Sequence, residues 1–156
     1  MTEIIAGADC NESLLSVVYI STATRGLNTG ELEELLDVSR RNNQRDGITG
    51  MLLYVEGNFM QAIEGAHDRM RDLYQRLERD PRHRDVTKLV DEPLAHRQFA
   101  QWSMAFRQVT LASVRKMEGF SDFLERGFAT EAMRARPDKA HKLLLTFREV
   151  TSPATE

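Results

Sequence analysis

Two side chains in this sequence can exchange hydrogen-bond roles without changing shape. Gln61 stands in the run Phe59 to Glu64, where strand alternation puts it on one side with Phe59 and Ile63. A carboxamide has a donor end and an acceptor end of nearly equal size. Turning it over, or moving its proton to the other tautomer, reverses its polarity at constant volume. Tyr19 stands in Leu14 to Ser21 (LLSVVYIS), and its hydroxyl both gives and accepts. This chemistry suits a switch more than a catalyst. A buried amide with unmet groups costs about 1–3 kcal/mol for each, so Gln61 should have partners. Tyr19 offers one, and the remaining amide capacity suits the polar edge of a ligand lying between two helices. Asn42 and Asn43 add two more amides where the first helix is expected to end.

Each of these residues also has an ordinary reading. A strand tyrosine usually packs as an amphipathic side chain, an Asn-Asn pair caps a helix, and Gln61 could face an open edge. Trp102, Met104, Leu35 and Leu77 read as core filler. Singly, none carries a function.

Other chemistries find less support. The histidines His67, His83, His96 and His141 lack metal-ligand spacing, and the single cysteine, Cys10, adds nothing to them, so no metal site is expected. No G-x-G-x-x-G, Walker loop or G-x-S-x-G is present. Acidic residues fall mainly on expected helix surfaces, with no pair to nominate as general acid and base, so no catalytic residue is assigned. Arg82, His83 and Arg84 form a small cationic turn, either solvated or a seat for a phosphate. With 156 residues, 41% hydrophobic and 29% charged, the chain has the composition of a globular domain of one core. A net charge of -3 with interspersed signs argues against a general nucleic-acid binder. Met1 to Asn11 carries no secretory signal and no apolar run is long enough to span a membrane. A reducing cytoplasm is the natural setting.

The elements follow from periodicity. Leu14 to Ser21 reads as a strand. Asn28 with Glu31 forms a capping box for a helix lined by Leu32, Leu35, Leu36 and Ser39. Asp46-Gly47 turns into a strand from Ile48 to Val55, and Gly57-Asn58 is expected to be the hairpin turn before Phe59 to Glu64. Met70, Leu73, Tyr74 and Leu77 give a second helix stopped before Pro81. Val86 to Val90 and Met104 to Val109 read as strands joined by a loop around Pro93. The order is β-α-β-β-α-β plus one strand. Leu15, Val17 and Tyr19 oppose Leu14, Val18 and Ile20, and Leu52 and Tyr54 oppose Met51, Leu53 and Val55. Both faces are therefore apolar and need cover. Right-handed crossovers put both helices on one face. The other face falls to Ser113 to Val150, through Val114, Met117, Phe120, Phe123 and Leu124, then Leu143, Leu144 and Phe147 after Pro137.

From about Leu15 to Val109 the sequence resembles the BLUF family (blue-light sensing using flavin). The resemblance rests on VVYIS with Tyr19, RRNNQRDGITGMLLY, GNFMQAIEG with Gln61, RDPRHRDV and QWSMAF, in order and with similar spacing. It implies an α+β, ferredoxin-like βαββαββ sheet with a flavin between the two helices and C-terminal helices on the opposite face. Residues 13–110 would form the flavin-binding domain and 111–150 a helical output segment, with loose tails at 1–12 and 151–156. Leu35 and Leu77 match the positions that sandwich the ring, where the family often has Ile. Asn43 matches the amide contact to the isoalloxazine edge, Asn42 is a secondary contact, Arg82 and His83 match the ribityl and phosphate side, and Ser39 lines the pocket. The family commonly holds FAD, and FMN or riboflavin can substitute. Tyr19, Gln61, Trp102 and Met104 match its photocycle positions. The implied cycle moves an electron from Tyr19 and a proton through Gln61, leaving the amide in its second arrangement and the spectrum slightly redder. Output would run through the strand after Trp102 and Met104 to a separate signalling protein, a cyclic-nucleotide phosphodiesterase or transcription regulator. Self-association is also expected; nucleic acid and membrane are not expected partners, and no enzymatic activity is expected. The rivals are an acylphosphatase-like hydrolase, poorly matched because STATRGL lacks a phosphate-cradling glycine series, and a flavin-free interaction adaptor.

Overall fold

The alternating apolar runs pair into one sheet whose two faces are covered by different helices. The computed structural model describes residues 13–116 and 137–150. In chain order the elements are β1 (Leu14–Ala23), α1 (Thr29–Asp46), β2 (Thr49–Val55), β3 (Asn58–Ala66), α2 (His67–Arg79), β4 (His83–Leu94), β5 (Ala105–Val109), α3 (Leu111–Arg115) and α4 (Pro137–Val150). The sheet order is β4-β1-β3-β2-β5. Its first four strands pair antiparallel, and β5 joins β2 in parallel. This is the ferredoxin-like order with one added edge strand.

Val17, Tyr19, Leu52, Tyr54, Phe59 and Ile63 project under α1 and α2, where they meet Leu32, Leu36 and Met70. Val18, Ile20, Met51, Leu53, Val55 and Met60 project the other way, onto Ala140, Leu143, Leu144 and Phe147 of α4 and Val114 of α3. The two-faced pattern of β1 and β2 therefore has cover on both sides, as expected. Met117, Phe120, Phe123 and Leu124 lie outside the described residues, as do the two tails.

Local details differ from the periodicity reading, each for a physical reason. The capping box is formed: Asn28 Oδ1 accepts from the Glu31 N–H at 2.8 Å, and Glu31 Oε1 accepts from the Asn28 N–H at 3.1 Å. The helix does not stop at Asn42 and Asn43. It runs to Asp46, because Gly47 takes the left-handed conformation (φ 68°) and closes the last turn onto the Asn43 carbonyl. The hairpin turn is Glu56-Gly57, not Gly57-Asn58: both residues have positive φ, 48° and 89°, and Val55 pairs with Asn58. Two such residues match the right-handed twist of the flanking strands. β4 continues through Pro93, which pairs with Leu15, because an edge strand tolerates a missing N–H. Its pairing with β1 shifts register between Val18 and Tyr19 and between Ile20 and Thr22. β5 begins at Ala105, leaving Met104 in the bend before it. No helix among the described residues is long and apolar enough to cross a membrane.

Candidate functional site

Strand register brings the two switchable side chains together. Tyr19 on β1 is the direct partner of Gln61 on β3, and Gln61 is the direct partner of Leu52 on β2. Directly opposed residues on one face stand about 4.5–5.5 Å apart at Cβ, so the three form a row across the sheet beneath α1 and α2. The Tyr19 hydroxyl donates to Gln61 Oε1. The Gln61 Nε2 group donates to Met104 Sδ at 3.2 Å. Tyr19, Gln61 and Met104 are all buried. Burial holds the Tyr19 phenol far above its ordinary range, with Tyr74 and Asp80 adding to the effect, so it stays a protonated donor. A thioether is a weak acceptor. The amide is thus firmly held at its oxygen and weakly held at its nitrogen.

Above this row a cavity of about 200 Å³ opens between the helices. From α1 it is lined by Leu35, Val38, Ser39, Asn42 and Asn43, and from α2 by Leu73, Arg76 and Leu77. Tyr19, Leu52, Phe59 and Gln61 form its floor, and Asp80, Arg82, His83 and Met104 complete the wall. Leu35, Leu73 and Leu77 remain partly exposed and Val38 is 36% exposed, so apolar groups from both helices stand uncovered around one opening.

The polar residues around it have defined attachments. Asn43 is buried, and its Nδ2 donates to the Ser103 carbonyl at 2.7 Å. Arg40, one turn earlier on α1, donates from Nε to the Met104 carbonyl at 2.9 Å. His83 Nε2 donates to the Leu77 carbonyl at 2.8 Å, so Nδ1 of the neutral ring accepts from the Ser21 hydroxyl, also at 2.8 Å. Burial lowers the His83 pKa despite the opposing effect of Asp80, in keeping with that neutral tautomer. Arg82 grips Asp80 at 2.6 Å and the same carboxylate accepts from the Arg82 backbone, which lowers the Asp80 pKa. Arg84 pairs with Asp85 at the surface and does not line the cavity. The cationic turn is therefore divided among an arginine paired at the cavity wall, a half-buried neutral histidine and an arginine paired at the surface.

Trp102 and Met104 separate. Met104 lies on the cavity side, whereas Trp102 packs on the opposite face with Phe99 and the α4 residues. The Trp102 Nε1 group is buried with no hydrogen-bond partner among the described residues. The loop before them is anchored by Glu64, a buried carboxylate that accepts from Thr49 Oγ1 at 2.9 Å and from the N–H groups of Gln98 and Phe99 at 2.9 and 2.6 Å. Gln98 Oε1 in turn lies 2.8 Å from His141 Nε2 on α4.

Six lining residues were not singled out from sequence: Val38, Leu52, Phe59, Leu73, Arg76 and Asp80. Leu52 and Phe59 share the strand face of Tyr19 and Gln61. Val38 and Leu73 lie three residues after Leu35 and four before Leu77, on the same helix stripes. That spacing was a usable signal. Arg40 and Glu64 gave none, since their partners are distant in the chain.

The BLUF profile, described as sensors of blue-light using FAD, matches residues 14–105. The beta subunit of photoactivated adenylate cyclase from Euglena gracilis is 39% identical over 93 residues, 59% of this chain and 11% of that protein. The chain thus spans a small part of that relative's length. BlrB, a BLUF protein solved in its dark state, superposes with a TM-score of 0.67 at 28% identity, over 86% of this chain and 98% of that one. BlrP1 from Klebsiella pneumoniae, solved with FMN and cyclic diGMP, gives 0.58 at 28% identity, over 78% and 30%. With the profile matched across more than half of its residues, the chain belongs to the BLUF family of blue-light sensors.

Proposed function

We propose that this protein binds a flavin, FAD in the first instance, between α1 and α2 and reports blue light by reversing the Gln61 amide. The observation that carries the reading is the Tyr19–Gln61 hydrogen bond lying in one cross-strand row under an open, apolar-walled cavity. The residues present fit a planar ring system with one polar edge. Leu35 and Leu77 supply flat apolar contact, Asn42, Asn43 and Gln61 supply amide donors and acceptors, and Arg82 and His83 stand at the wall for a polar side chain. Most of these contacts are to a ring, so FMN or riboflavin would also be accepted.

A bound flavin would supply the blue absorption and, once excited, the affinity for an electron. Tyr19 is positioned to give that electron and its phenolic proton. Gln61 is positioned to relay the proton and to return in the opposite orientation, since its nitrogen end is held only by a sulfur. In the reversed arrangement an N–H faces the Tyr19 oxygen, which can accept. The buried floor lets the two arrangements persist as distinct states.

The output path we propose starts at Met104, which touches Gln61, and follows the bend into β5. The preceding loop is tied to α4 through Gln98 and His141. A shift of that loop would alter the α4 surface seen by a separate signalling protein. Relatives join this domain to an adenylate cyclase, and BlrP1 holds cyclic diGMP, which supports a partner in cyclic-nucleotide signalling; a transcription regulator is the second class we propose. The chain itself is proposed to act as a sensor without enzymatic activity, in the cytoplasm.

Purified protein should be yellow, shift its flavin band to the red under blue light and recover in darkness. A chain that retains no flavin after reconstitution overturns this reading.

A further inference from the structure

We propose that Arg40 is a positioning residue of the photocycle, holding the Met104 carbonyl so that the Met104 sulfur stays against Gln61. The inference rests on the flavin-switch reading above and adds to it a determinant outside the cavity.

The chain changes sides between Trp102 and Met104. In an extended strand, residues two apart point to the same face. Trp102 and Met104 are two apart, yet Trp102 belongs to the α4-side core and Met104 to the cavity-side core. The backbone between them must bend, and residues 101–104 are indeed outside any strand. Three successive carbonyls in that bend are each held by a different donor. The Trp102 carbonyl accepts from the Gly50 N–H at 3.0 Å, the Ser103 carbonyl from Asn43 Nδ2 at 2.7 Å, and the Met104 carbonyl from Arg40 Nε at 2.9 Å. A Cβ at Gly50 would meet the Ala62 carbonyl at 2.2 Å, so Gly50 packs backbone to backbone against β3 and tolerates no side chain.

Of the three donors, Arg40 is the one whose removal isolates the effect. Gly50 is locked into the sheet, and Asn43 lines the cavity. Arg40 does not line the cavity, is partly buried, and brings a charged donor to a neutral carbonyl. It holds the residue that the Gln61 nitrogen touches, so it governs how long that contact survives and how readily it reforms. Lys can still offer a donor at this position; Met has similar length and offers none.

The experiment compares wild type, Arg40→Met and Arg40→Lys, each alone and with Met104→Leu, reading two signals. The first is the Met104 ε-methyl NMR resonance in the dark, which needs no photochemistry. The second is the rate of dark recovery of the red-shifted band. Arg40→Met should move or broaden the methyl resonance and change the recovery rate by about tenfold, the worth of one charge-assisted hydrogen bond. Arg40→Lys should lie close to wild type. In the Met104→Leu background Arg40→Met should change recovery no further. Arg40→Met and Arg40→Lys alone should leave flavin content and the ground-state spectrum unchanged, since Arg40 does not line the cavity. An unmoved methyl resonance and wild-type recovery in Arg40→Met overturn the proposal. So does an Arg40→Met effect that persists undiminished with Met104→Leu. A wild-type protein with no red shift overturns the flavin-switch reading instead, and the methyl resonance still decides whether Arg40 holds Met104.

Discussion

The two faces of the central sheet are built from the same strands and finished in different ways. On the α4 side, Leu53, Met60, Phe99, Trp102, Leu143, Leu144 and Phe147 fill the space with their own side chains. On the α1 and α2 side, a comparable set of strand residues leaves a cavity of about 200 Å³ with half-covered leucines around it. The filled face buries few polar side chains, Ser16, Glu64 and Thr87, and Glu64 is fully engaged with the loop above it. The hollow face carries the phenol, the amides and the sulfur. Close packing stabilises a fold but allows one arrangement. A polar pair with two bonding patterns needs a face where the packing is left incomplete.

Substitutions on each face should give opposite signatures. The largest effect is expected from Gln61→Leu or Tyr19→Phe, each of which should abolish the light-induced red shift while flavin stays bound, as read by difference absorption; a surviving shift would remove the hydrogen-bonded pair from the mechanism. Next, Leu143→Ala on the filled face should lower the unfolding free energy by about 2–5 kcal/mol, measured by chemical denaturation, with the flavin spectrum of the remaining folded protein unchanged. Leu77→Ala on the hollow face should do the reverse. Its side chain is already partly exposed, so stability of the flavin-free protein should change by under about 1 kcal/mol, while flavin affinity falls about tenfold for the lost ring contact.

The smallest effect is expected from pH. Burial keeps the pKa of His83 below the ordinary 6.5. The unfolded chain therefore takes up a proton that the folded chain resists. Its contribution is complete above about pH 6.5 and declines as pH falls from there toward the lowered folded value. His141 has the same sign for the same first cause. Denaturation midpoints across this range should fall with pH, and His83→Gln should flatten part of the slope. An unchanged slope in that variant would assign the dependence elsewhere.

Much of this architecture is legible in the sequence. Alternation in β1 and β2 is a local property, so both faces could be assigned from a few residues. The same holds for Gln61 beside Phe59 and Ile63, and for helix stripes such as Leu35 and Leu77. Turn details were less legible. Glu56 adopts a positive φ that its type does not advertise, which moved the hairpin turn by one residue. Gly47, rather than the asparagine pair, ends α1, because the cap is decided by which residue can enter the left-handed region cheaply.

Residue spacing settles which side chains share a face, where the helices lie and which polar residues are surrounded by apolar ones, because these follow from periods of two and 3.6 residues. Tertiary structure alone decided that Tyr19 meets Gln61 across 42 positions and that Arg40 and Asn43 grip carbonyls 64 and 60 positions away. It also decided that Trp102 and Met104 part to opposite faces. Such contacts depend on strand order and on a bend held by hydrogen bonds from other elements, and no local pattern encodes them.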